Sequence, residues 1–156
     1  MFGENATRTA NAEVLLARIK WYRGEVDSAA QIVQRLLARQ GEAQAAGRAD
    51  AILNASERLA LDVVDLALRS CTEPIVDEAF DKLIARGREL SLQPQDVVEM
   101  IEFKALSALR AGRRPDAQRY FAEALAEAEK NAQLAADRVR GQIGAASGAP
   151  VARAQA

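Results

Sequence analysis

The stretch from Glu102 to Ala124, EFKALSALRAGRRPDAQRYFAEA, reads as one helical hairpin. Apolar residues recur at helical spacing up to Leu109, and Gly112 closes that helix. Arg113 and Arg114 make the turn, and Pro115 opens the next helix at a position where its missing N–H is no loss. A turn this short forces the two helices antiparallel and side by side. Beyond it, Ala117 presents a side chain small enough for close approach, followed by Phe121 and Ala124.

The arrangement recurs upstream as Gly24-x4-Ala29-x3-Val33-x2-Leu36 and Pro74-x4-Ala79-x3-Leu83-x2-Arg86. The reference alanines stand 50 and 38 residues apart, so the period is loose and the first interval holds extra chain. One hairpin cannot bury its own apolar face, and about three stacked units are the usual minimum for a stable array. The expected fold is all-α, a solenoid of about three antiparallel hairpins over residues 10–137.

In the first hairpin, Leu15, Leu16, Ile19 and Tyr22 form the apolar stripe, and Asp27 or Ser28 caps a helix with Ala29, Ala30, Val33, Leu36 and Leu37 on one face. Gly41 and Gly47 place an end or a turn between Gln40 and Asp50. The second hairpin pairs Ile52 to Leu68 with a helix opened by Pro74 and carrying Ala79, Phe80, Leu83 and Ile84. In the third, Val97, Val98, Ile101, Ala105, Ala108 and Leu109 face Ala117, Tyr120, Phe121, Ala124, Leu125 and Ala128. After Asp137 the apolar period fails, and residues 1–9 and 138–156 are expected to be disordered.

Composition narrows the class. Of 156 residues, 49% are hydrophobic, 28% charged and only 4% aromatic, which suits an alanine-rich helical domain. A chain of this length buries roughly 68–70% of its unfolded surface and requires no disulfide or metal. Cys71 is the only cysteine and lies in an apolar run, so a buried, unreactive thiol in a reducing cytoplasm is expected. Residues 1–12 lack the charged start and apolar core of a signal peptide, and no apolar run is long enough to span a bilayer. Formal net charge is -1, which gives no attraction to a polyanion, so neither nucleic acid nor membrane is an expected partner.

The Glu102 to Ala124 segment resembles a tetratricopeptide repeat, with the turn glycine and the small and aromatic helix positions in register. Arg18 to Leu37 is a second copy, and Val63 to Arg86 a degenerate one. The hairpins exceed that family's usual period of about 34 residues. In texture they look like the longer helical repeats of MalT-type bacterial transcription regulators. The resemblance implies a right-handed superhelix in which the first helix of each hairpin lines a concave surface. On that surface it implies Asn11, Val14, Arg18, Trp21 and Tyr22 from the first repeat, Leu61, Val64 and Leu68 from the second, and Glu99, Glu102 and Leu106 from the third.

No enzyme is expected. Histidine is absent, which excludes imidazole triads and histidine metal sites, and no phosphate-binding glycine loop occurs. The pairs Glu99/Glu102 and Asp62/Asp65 read as solvated helix faces, and no cofactor or metal is implied. Arg110, Arg113, Arg114 and Arg119 gather around one turn, where polar residues are usual, although such a group could also grip an acidic partner. The expected role is a cytoplasmic, non-catalytic scaffold for another protein or peptide. The alternative is a sensory domain of a regulator that binds a small ligand. Glu99 and Glu102 argue against a clamp for a peptide carboxylate and favour a basic amphipathic helix or a second copy of the chain. Trp21 reads equally as an interface anchor and as the seal at the end of the stack.

Overall fold

The computed structural model describes residues 2–48, 52–71, 73 and 77–147. Among them it places six helices and no strand: α1 (Phe2–Tyr22), α2 (Val26–Ala45), α3 (Ala55–Arg69), α4 (Asp77–Glu89), α5 (Pro94–Arg110) and α6 (Arg114–Ser147). The chain is therefore all-α. Helix α1 begins eight residues before the expected boundary at 10, and α6 runs ten residues past 137, so 2–9 and 138–147 are helical where disorder was expected. An alanine-rich segment needs no apolar stripe to stay helical, and local pairs such as Arg140 with Asp137 at 3.3 Å support it. The expectation for 148–156 and the opening of a helix at Pro74 concern residues outside those described.

Two turns carry the hairpins. Gly24 adopts φ +78°, and there the Glu25 N–H donates to the Lys20 carbonyl at 2.9 Å while the Gly24 N–H donates to Trp21 at 3.0 Å. Gly112 at φ +77° repeats the pattern, Arg113 donating to Ala108 and Gly112 to Leu109. These paired bonds satisfy the last helical carbonyls and need a left-handed residue that glycine adopts without a Cβ clash. Helix α3 starts later than the expected Ile52, because Asn54 and Glu57 form a reciprocal capping box at 2.9 Å each way.

Each helix packs on the next in the chain, and α1, α3 and α5 are also neighbours. Helix α3 touches α1, α2, α4 and α5, and buries Leu59, Leu61, Val63, Val64, Leu66, Ala67 and Leu68, leaving the edge of Arg58, Asp62, Asp65 and Arg69 to solvent. Ala29 and Ala117 are fully buried, as the close-approach reading requires, whereas Ala79 is only partly covered. In the second hairpin the close approach is instead at Gly87, where a Cβ would lie 3.0 Å from Met100 Sδ.

The first helix turns its other face inward. Ala10, Val14, Ala17 and Trp21 are buried, while Leu15, Leu16, Ile19 and Tyr22, the stripe expected to pack, stay 40–52% exposed. The inward face has alanine where the outward one has leucine, so the helix axes come closer and Trp21 fills the remaining gap. In α6, likewise, Tyr120 and not Phe121 points inward, and Leu109 and Leu125 are exposed.

Helix α4 buries only Phe80, Ile84 and Gly87, and its attachment to the third hairpin is largely polar. Arg113 holds both oxygens of Asp77 at 2.8 and 2.9 Å, and the Tyr120 hydroxyl donates to the same carboxylate. The almost fully buried Lys104 reaches Asp81 at 2.7 Å and lies 4.0 Å from the Tyr120 ring centroid.

Two substitutions test this packing by chemical denaturation. Ala117→Leu is expected to lower stability by about 1–3 kcal/mol through overpacking of the α5–α6 contact. Gly112→Ala is expected to lower it by about 1 kcal/mol through left-handed strain; an unchanged denaturation midpoint would show that the turn does not require glycine.

Candidate functional site

A concavity of about 300 Å³ opens between α1, α3 and α5. Leu59, Ala60 and Val63 of α3 make its floor, Val14 and Leu15 one wall, and Leu92, Met100 and Phe103 the other. Asn11, Asn54, Ser56, Glu57 and Asp96 rim it. The capping box at Asn54 is what brings the polar start of α3 to the mouth.

At the other end the walls meet. Arg18 forms an ion pair with Glu99 across the groove, and the Tyr22 hydroxyl donates to the same carboxylate at 3.4 Å. Behind them Trp21 stacks on Phe103 with centroids 6.3 Å apart, and Tyr22 lies against the same ring at 5.0 Å. Arg110 covers the far face of Trp21, 3.8 Å from its ring centroid, and donates to the Trp21 carbonyl at 2.6 Å. Burial pushes the Tyr22 phenol up to about 12, with the Glu102 carboxylate adding to the shift.

Of the residues expected on the concave surface, Asn11, Val14, Arg18 and Glu99 come together in the groove. Tyr22 stands beside it, and Glu102 and Leu106 are half-buried on α5 outside its lining. Trp21, Leu61, Val64 and Leu68 belong to the core. The expectation for the last three assumed that α3 keeps one face open. Four neighbouring helices cover it there, and toward the groove it presents only Leu59, Ala60 and Val63 beyond its first turn. For Trp21 the two readings resolve toward sealing, since the side chain is 0% exposed.

The sequence reading missed Leu15, Glu57, Ala60, Asp96, Met100 and Phe103 as lining residues. The Asn54-x-x-Glu57 signature was the available signal: it sets the start of α3 and hence which of its residues reach the mouth. Other features resolve into the fold. Arg113 and Arg119 both reach Asp116, at 3.1 and 3.2 Å, so with Arg110 over Trp21 the arginine turn is largely engaged within the molecule. Asp65 pairs with Arg69 at 3.0 Å. Cys71 is exposed just past the end of α3, where a buried thiol was expected, because the helix stops before it; the protein packed on one side of the sulfur desolvates it enough to raise the thiol.

Among the described residues no group of His, Cys, Asp and Glu could hold a metal ion, and no helix is long and apolar enough to cross a membrane. Comparison with protein-family models, with curated proteins and with solved structures finds no match.

Two predictions follow from this geometry. Trp21→Ala removes the packing between α1 and α5 and is expected to cost about 3–5 kcal/mol, read as a large fall in thermal midpoint. The Arg113 guanidinium holds Asp77 below the usual carboxylate range. A depressed folded-state value stabilises above the unfolded one and is lost as pH falls through the folded one. Thermal stability is therefore expected to drop as pH falls below about 4, and to drop less steeply in Asp77→Asn, whose midpoint at neutral pH is already reduced.

Proposed function

We propose that this chain is a non-catalytic adaptor, built as a short right-handed solenoid of three hairpins in the manner of tetratricopeptide repeats, which holds a segment of another protein in the groove between α1, α3 and α5. The observation that carries the reading is the order of helix contacts. First helices neighbour first helices, every second helix packs between its own partner and the next hairpin where one follows, and the groove opens on the side lined by first helices. A repeat array makes a concave surface in this way.

The outer face of α1 supports the same reading. Leu15, Leu16, Ile19 and Tyr22 expose a contiguous apolar strip, and Leu15 also lines the groove, so a bound segment can pass from the concavity onto that strip. Contact with a second copy of the chain would compete for this strip, and sedimentation over a concentration series separates the two.

The alternative is a regulatory helical domain that binds a small ligand in the same groove. Its support is the volume, which at about 300 Å³ lies at the lower end of the range for ligand pockets. A ligand-dependent rise in thermal midpoint with metabolite fractions, without capture of any protein, would favour it.

Ala60→Arg tests the adaptor reading by placing a long charged side chain on the groove floor. Proteins captured by the parent chain and identified by mass spectrometry are expected to be lost at least 10-fold by Ala60→Arg and retained by Leu125→Glu on the far side of α6. Equal capture by a folded Ala60→Arg chain would exclude the groove.

A further inference from the structure

We infer that the groove takes a short peptide segment with a bulky apolar residue flanked by lysine or arginine. This deepens the adaptor reading and rests on it.

Length sets how much of the occupant enters. The groove runs along α1 from Asn11 to Arg18, a rise of about 10 Å at 1.5 Å per residue. Its volume of about 300 Å³ takes one or two side chains of a bound segment, the rest of which lies over the open mouth.

Charge decides its sequence. Four ionisable side chains line the groove: Arg18, Glu57, Asp96 and Glu99. Arg18 and Glu99 neutralise each other at the closed end. Glu57 gives one oxygen to the Asn54 N–H at 2.9 Å, a bond that leaves its charge intact. Neither Glu57 nor Asp96 has an ion-pair partner among the salt bridges of the described residues. Both stand in first helical turns. The open end therefore presents two carboxylates without an ion-pair partner beside an apolar floor of Leu59, Ala60 and Val63. An apolar side chain fits the floor, and a cation two or three atoms above it meets the carboxylates; an acidic segment meets repulsion on entering.

The test uses the full-length chain and two pools of acetylated, amidated hexapeptides, each with leucine or phenylalanine at two central positions. One pool carries lysine at the flanking positions and the other glutamate. The expected result is at least 10-fold tighter binding of the lysine pool in 50 mM salt. The preference should shrink in 300 mM salt, with methyl shifts at Leu15, Ala60 and Val63 in the NMR spectrum. Glu57→Gln with Asp96→Asn keeps the hydrogen-bonding groups and is expected to bring the two pools within about 3-fold of each other. Equal binding of both pools by the parent chain, with the same methyl shifts, overturns the charge preference and leaves the groove reading standing. Shifts confined to other methyls overturn the peptide assignment, while capture by Ala60→Arg decides the adaptor reading separately.

Discussion

Helix α3 keeps only a narrow polar edge, Arg58, Asp62, Asp65 and Arg69, toward water, and the rest of the fold follows from having to cover its other faces. Seven of its side chains are buried, and α1, α2, α4 and α5 are the elements that bury them. Holding α1 and α5 on either side of one helix brings their C-terminal halves together, where Trp21 and Phe103 fill the space between them. Toward their N-terminal ends, Asn11 to Leu15 and Asp96 to Met100 stand on opposite sides of the groove, with Leu59, Ala60 and Val63 of α3 between them. The groove is the gap between these two walls. Its depth is set by Ala60, the smallest side chain on the floor.

The two sides of α3 are held by different forces. Toward α1 and α2 the contact is apolar and close, through Ala10, Val14, Ala17, Ala29 and Val33. Toward the third hairpin, α4 relies on Asp77 and Asp81 reaching Arg113, Tyr120 and Lys104. A buried lysine is tolerated because it has both a carboxylate and an aromatic face. An apolar contact is indifferent to moderate acid and salt, whereas this polar one responds to both.

The groove combines an aliphatic surface with charged side chains at both of its ends. Its floor is aliphatic, and one end is closed by an ion pair that neutralises both of its members. The remaining carboxylates, Glu57 and Asp96, are first-turn residues of two separate helices, and in the proposed reading their charge selects the occupant.

Local sequence determined the helices and their turns. Gly24 and Gly112 mark the two tight hairpins because only a residue comfortable at positive φ closes a helix and reverses the chain in so few steps. Alanine at 29 and 117 marks close contact because a larger group would hold the axes apart. Four of the residues that line the groove were legible by counting back from these turns. The facing of α1 was not, since Leu15, Leu16 and Ile19 are as apolar as any core stripe; the alanine face won because it lets two neighbouring helices approach while Trp21 fills the gap. Nor was the burial of Leu61, Val64 and Leu68, which depends on how many helices surround α3. Periodicity states which residues share a face of one helix; which face is covered, and by how many neighbours, is decided only when all six pack together.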